Sequence, residues 1–351
     1  MWISIIAFIG VTSGILVLKS CGYDKAVLIS IIAGIIALAI CFWPLLSVAE
    51  LARENKVPLS LGRYFSAITA GNDDYVNTKF TTYTFAGSPG ADLKLDVYRP
   101  TMSSKNNGAS VVVVHGGSWS GGVRNDFPQW NARLAKMGFT VFDVDYRLAP
   151  QPNYLTATGD VKCAVRWIRE NANEFGIDPE RIALLGRSAG AHLALLAAYS
   201  ADDVRIPSAC ATPQSSEKVS AVISLYAPID LLWAFDNPAN QRVIDGPETL
   251  TKFLGGSPHE SHEIRDRFLL ASPTTHVSTS TPPTLLIHGG SDQLVRSENM
   301  RFLSEKLTET HIANRTILIP YAQHGFDYNL NGWGSQITEA AILSFLAEHI
   351  K

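Results

Sequence analysis

Charge is what this sequence has little of. Asp, Glu, Lys and Arg make up 17% of its 351 residues, where an ordinary soluble domain carries roughly 25%. Lys+Arg 29 against Asp+Glu 32 leaves a formal net charge of −3, so there is no basic footprint for nucleic acid and a polyanionic partner is not expected. Cysteine is scarce too. Of the four, Cys21 and Cys41 fall in an apolar leader, which rules out the dense disulfide framework of a small secreted scaffold. Cys163 lies in an expected helix and Cys210 in a Pro/Ser-rich loop; they would bond only in an oxidising compartment, and both are expected to be free. Glycine (26) and proline (18) are near average, which excludes collagen-like and low-complexity chains.

The charge that is present is unevenly placed. Residues 1–18 carry no charged side chain and residues 26–49 carry none either; each run is close to the roughly 20 residues that span a bilayer. The polar turn between them holds Lys19, Asp24 and Lys25. This pattern predicts a transmembrane helical hairpin over residues 1–50, with the bilayer as partner and Trp2, Tyr23 and Trp43 near its interfaces. A cleaved signal peptide fits less well, because residues 1–18 lack a Lys/Arg-rich start and a second apolar run comes at once. Arg53, Lys56 and Arg63 beyond the second run tip the orientation towards a cytoplasmic location for the large domain. Residues 51–79 read as a juxtamembrane linker, whose apolar and basic mixture over 51–71 suits a segment lying on the membrane surface.

Residues 80–351 have the size and rhythm of one α/β domain. Apolar or alternating runs at 81–85, 93–98, 111–114, 140–144, 182–185, 219–225, 284–287 and 316–319 predict strands. Helical spacing appears at 125–137, 158–173, 189–200, 297–310 and 337–349. No helix separates the first two strands, so an antiparallel edge should lead into a mostly parallel eight-stranded sheet with helices on both faces. Residues 226–283 break the rhythm and read as an inserted lid.

In such sheets chemistry collects at the carboxyl ends of the strands, and three loops stand out there. The first is Gly186-Arg187-Ser188-Ala189-Gly190, between a strand and an Ala/Leu-rich helix. Its glycines remove side chains that would collide as the backbone reverses, leaving Ser188 exposed on a strained turn as a nucleophile. The second is His115-Gly116-Gly117-Ser118-Trp119 after a buried run of valines. The N–H groups of Gly117, Ser118 and Ala189 would there bind a developing oxyanion. The tetrapeptide recurs as His288-Gly289-Gly290-Ser291, but the oxyanion loop should precede the nucleophile, which selects the first copy.

That second copy continues into Asp292, a carboxylate after the next-to-last strand that can orient an imidazole. Asp230 and Asp327 are its rivals, set aside on placement. His324, in a Gly-containing loop after the last strand, completes the order Ser188, Asp292, His324 expected on this fold. Of the other eight histidines, His192 lies in the helix after Ser188, His349 at the end of the chain, and His115 and His288 are expected to organise their own loops.

Together, His115-Gly116-Gly117, Gly186-Arg187-Ser188-Ala189-Gly190, Gly289-Gly290-Ser291-Asp292 and His324-Gly325-Phe326 resemble the α/β-hydrolase esterases. More narrowly they are similar to hormone-sensitive-lipase-like and bacterial feruloyl-esterase-like carboxylesterases, whose loop after the fourth strand Asp143-Val144-Asp145-Tyr146-Arg147-Leu148-Ala149-Pro150 also matches. The resemblance covers residues 80–351. Ser118 departs from it, standing where the lipase-like branch often has a third glycine, and with the adjoining Trp119 this moves the match towards the feruloyl-esterase-like branch.

The resemblance implies an α/β-hydrolase fold and hydrolysis of carboxylic esters through an acyl-enzyme, without metal or organic cofactor, on a small-molecule or lipid-derived ester. Trp119 and Trp233 are the expected substrate contacts, with Phe235, Phe253 and Phe268 as further lid aromatics. Two other classes stay open. A prolyl-oligopeptidase-like peptidase shares the order of the three residues but carries a propeller-sized domain not seen here. A non-catalytic receptor or adhesion module of the same fold usually lacks one of the three.

Overall fold

The computed structural model describes residues 11–13, 25–69, 79–88, 91–100, 106–210 and 215–350. The chain divides into two compact units, Met1–Leu59 and Ser60–Lys351.

In the first unit, helix α1 (Lys25–Glu54) contains Pro44, and residues 11–13 are helical. The expected first span and the polar turn otherwise lie outside the described residues. Among the described residues one helix, Val27–Glu54, is long and apolar enough to cross a membrane. Of the expected hairpin, one candidate span lies among the described residues, and the second is not confirmed.

The second unit begins earlier than the sequence suggests. Helix α2 (Leu61–Thr69) falls where a linker is expected, yet it belongs to the larger unit. Arg63 bonds Glu339 and donates to the Leu330 carbonyl at 3.2 Å, and the Tyr64 ring lies 5.6 Å from Trp333. Leu61 and Phe65 remain exposed. Alternating apolar and basic residues resemble a membrane-surface helix because a basic residue also serves to pair with a carboxylate of its own unit.

The sheet has eight strands: β1 (Phe80–Ser88), β2 (Ala91–Tyr98), β3 (Ser110–Val114), β4 (Thr140–Val144), β5 (Ile182–Arg187), β6 (Ala221–Leu225), β7 (Thr284–Gly289) and β8 (Asn314–Ile319). Their order is β1-β2-β4-β3-β5-β6-β7-β8. Pairs β1/β2 and β2/β4 are antiparallel, and all later pairs are parallel. The edge follows from the absence of a helix between β1 and β2; the parallel remainder follows from the helices α3 (Pro128–Lys136), α4 (Tyr154–Glu170), α6 (Ala189–Tyr199), α10 (Glu298–Glu309) and α11 (Trp333–His349), with short α5 (Ala172–Phe175) after α4.

Strand residues alternate between two covered faces. Val112, Val114, Leu184, Val222 and Leu286 enter one core with the apolar residues of α4 and α6 and with Leu303 and Leu307 of α10. The intervening Val111, Val113, Ala183, Leu185 and Ile223 are equally buried and face the layer in which Arg133 of α3 pairs with Glu339 of α11. Residues 226–283 carry helices α7 (Leu231–Asp236), α8 (Gly246–Leu254) and α9 (His262–Leu270) and the single 3-10 turn Pro273–His276.

Cys163 and Cys210 are not free. They form a disulfide, with Cα atoms 5.2 Å apart across a sequence separation of 47, inside the span of native bridges. The segment after α6 is brought back onto α4: Lys162 Nζ donates to the Ile206 carbonyl at 2.6 Å and the Ala209 N–H to Gly159 at 3.0 Å. Such a bond persists in oxidising compartments and is rare in the cytosol, so the expected cytoplasmic placement of this unit is not supported.

Candidate active site

The parallel register delivers the first two loops side by side. Val114 pairs with Gly186, and Arg187 with Leu225, so the chain leaving β3 meets the chain leaving β5. Ser188 sits between β5 and α6 at φ +53°, ψ −122°, a backbone that a non-glycine residue holds at a cost of about 1–3 kcal/mol. The turn is this tight only because of its glycines. A Cβ on Gly186 would lie 2.3 Å from the Gly190 carbonyl oxygen, and one on Gly190 would lie 2.2 Å from that of His115.

The three residues expected to act together are in contact. His324 Nε2 lies 2.9 Å from Ser188 Oγ, and His324 Nδ1 lies 2.7 Å from Asp292 Oδ2. Asp292 is buried, which pushes its carboxyl up, but hydrogen bonds from His288, His324 and the Val295 N–H outweigh burial and hold it well below the usual carboxylate range. An ionised acceptor at Nδ1 fixes the ring with Nε2 towards the serine. The rivals are occupied elsewhere. Asp230 caps α7 through the Trp233 N–H at 2.9 Å, and Asp327 pairs with Arg187 at 2.6 Å.

The loop after β3 is strained at two successive positions, Ser118 (φ +53°) and Trp119 (φ +58°). The Gly117 carbonyl accepts from the Ser120 and Gly121 N–H groups at 3.1 and 2.9 Å, closing the turn. Asn153 Nδ2 donates to the Trp119 carbonyl at 2.9 Å, and Trp119 Nε1 donates to His192 Nδ1 at 3.1 Å. Burial lowers His192 to about 4, so it is neutral, with Nε2–H free to donate to the Ala271 carbonyl at 2.8 Å. His115 is likewise lowered by burial, donates from Nδ1 to the Gly116 carbonyl at 2.7 Å and stacks on Tyr146. His288 bonds the Val295 carbonyl at 3.0 Å.

A cavity of about 70 Å³ opens beside Ser188, lined by Ser118, Trp119, Ala189, Ala234, Ile244, Leu250 and Leu294 among others. Ala189 is the first residue of α6, where a backbone N–H has no intrahelical acceptor. Gly117 does not line the cavity. Trp119 does, although it is only 3% exposed, as a wall fixed by stacking on Phe253. Trp233 is expected at the substrate from the sequence, but its ring packs on Phe302 with centroids 4.9 Å apart, and it is not part of the lining. Phe253 and Phe268 are fully buried packing residues. Among the described residues no group of three His, Cys, Asp or Glu side chains is placed to hold a metal ion.

The family model BD-FAE matches residues 95–307, more than half of the chain. The chain belongs to the BD-FAE family. Esterase LipQ of Mycobacterium tuberculosis is 29% identical to it over 259 residues, covering 72% of this chain and 59% of its own length. Esterase LipC of the same organism is 33% identical over 276 residues, covering 78% and 65%. The chain thus spans about three fifths of the length of these relatives. Among solved structures, Thermogutta terrifontis esterase 2 phosphonylated by sarin superposes with a TM-score of 0.63 at 24% identity, covering 78% of this chain and 95% of that one. This likeness shows that the BD-FAE unit has the fold of that esterase, the α/β-hydrolase fold implied by the motifs.

Sequence reasoning missed the residues that hold the BD-FAE loops in place. Asn153 and His192 support Trp119, and Arg187 and Tyr226 share Asp327. Only Arg187 carried a signal, as a charged residue at the end of an otherwise apolar strand.

Proposed function

We propose that this protein is a serine hydrolase that cleaves carboxylic esters through an acyl-enzyme. The observation that carries this reading is the position of His324, within hydrogen-bond reach of both Asp292 and Ser188 Oγ, with Ser188 itself in the lining of a mostly apolar cavity. His324 takes the Ser188 proton as the oxygen attacks the ester carbonyl, and ionised Asp292 stabilises the imidazolium. The N–H groups of Ser118 and Ala189, the two of the three expected donors whose residues line the cavity, receive the tetrahedral oxyanion. His324 then protonates the leaving alcohol, and water repeats the attack on the acyl-enzyme. The esterase names of the relatives LipQ and LipC support the same reaction class.

The cavity supports esters of short acids. Its volume of about 70 Å³ is under half of the roughly 150 Å³ that admits a benzene. Helix α1 supports membrane anchoring, and the Cys163–Cys210 bond supports a catalytic unit on the oxidising side of that membrane. Ser188→Ala is expected to abolish hydrolysis of p-nitrophenyl butyrate and labelling by a fluorophosphonate, with the circular dichroism spectrum kept. Turnover retained by the folded variant overturns the assignment.

A further inference from the structure

Asp327 stands three residues after His324 and is completely buried, yet the reaction above makes no use of it. Its two carboxylate oxygens are divided between segments that both reach the nucleophile and its base. Arg187, immediately before Ser188, donates from Nε to Oδ2 at 2.6 Å. Tyr226, immediately after β6, donates its hydroxyl to Oδ1 at 2.6 Å. The Tyr226 ring in turn lies edge-on to the His324 ring, with centroids 4.5 Å apart. Trp130 Nε1 donates to the Asp327 carbonyl at 2.8 Å, and the Arg187 guanidinium lies over the Phe127 ring at 4.2 Å.

A buried ion pair is a poor source of stability, because desolvation offsets most of its attraction and apolar side chains of the same volume do as well. What it supplies is geometry. Arginine presents a rigid fork and a carboxylate two directional acceptors, so the three segments meeting at Asp327 are set at fixed separations. The proton transfer from Ser188 to His324 depends on such separations, and a displacement of about 1 Å costs roughly 100-fold.

We propose that Asp327 is a positioning residue: through Arg187 and Tyr226 it fixes the distance and angle between Ser188 and His324. This rests on the serine-hydrolase reading. The test uses the full-length protein, with active sites titrated by a fluorophosphonate and kcat expressed per titrated site on p-nitrophenyl butyrate. Tyr226→Phe keeps the ring and removes one hydrogen bond; kcat is expected to fall about tenfold, with KM within about twofold. Asp327→Asn is expected to lower kcat further, and the rate of Ser188 phosphonylation should fall in parallel, since that step needs the same base. Because Asp327→Asn leaves Arg187 with a weakened partner and can fail to fold, the double variant Arg187→Met/Asp327→Leu is measured beside it. It should fold and still show the lowered kcat. Wild-type kcat in folded Tyr226→Phe and in the double variant overturns the positioning role. A wild-type protein that neither turns over the ester nor is phosphonylated overturns the hydrolase reading and this one with it.

Discussion

Trp119 and Phe253 stack face to face, with centroids 4.2 Å apart and planes 11° from parallel. One belongs to the strained loop beside Ser188 and the other to lid helix α8, so the inserted segment is part of the wall that shapes the site. His192 from α6 meets both rings edge-on, joining the helix that follows Ser188 to the same cluster.

Phe253→Ala should therefore harm stability and turnover together. Phe-to-Ala changes in cores cost about 3–5 kcal/mol, and loss of the stacking face frees Trp119 from its positive-φ conformation. A lowered melting temperature with a fall in kcat is expected, and Phe253→Leu should recover part of both. Wild-type kcat in a folded Phe253→Ala protein contradicts the coupling.

The disulfide makes a second prediction. Closing a loop across a separation of 47 residues is worth about 4 kcal/mol on the chain-entropy account. The Cys163→Ala/Cys210→Ala variant should melt well below the parent, and reduction should shift the electrophoretic mobility of the unfolded parent but not of the variant. Two alkylatable thiols at these positions in protein isolated under non-reducing conditions argue against the bond.

Asp143 sets a pH dependence of stability. Burial, aided by Asp96, pushes its carboxyl up to about 7 against the Asn125 N–H, the Asn131 amide and the Arg187 charge. Below about pH 4 both folded and unfolded chains hold the proton; between about 4 and 7 only the folded one does, so stability falls as pH rises through that window. The loss is on the order of 3 kcal/mol. Asp143→Asn cannot ionise, and its melting temperature should gain on the parent from pH 4 to pH 7. Parallel curves across this range refute the shift.

Cavity shape predicts selectivity. Leu250→Ala should raise kcat/KM for hexanoate relative to acetate esters by enlarging the acyl site, while Trp233→Ala, which removes packing against Phe302, should leave that ratio unchanged. A ratio that responds to Trp233 and ignores Leu250 inverts the assignment of the wall.

Much of the fold and of the site is legible in the sequence because parallel strands must be crossed by helices, which sets both the rhythm of the chain and the placement of loops at the strand ends. The order Ser188, Asp292, His324 needs no distance information once β5, β7 and β8 lie in one sheet. Other features depend on facts that no local pattern carries. Cys163 and Cys210 meet because the chain after α6 folds back on α4. The packing of Trp233 on Phe302 is hidden because α7, six residues long, is too short for its apolar face to show as periodicity. The docking of α2 by Arg63 is hidden because a cation for a lipid headgroup and a cation for Glu339 look the same in one dimension.

The paired left-handed residues Ser118 and Trp119 constrain any attempt to redesign this site. β-Branched side chains are the ones that such backbone torsions tolerate least, so randomising these two codons would fill a library with misfolded members. Diversity placed at Ala234, Ile244 and Leu250 would alter the same chamber from residues whose torsions leave the choice of side chain open.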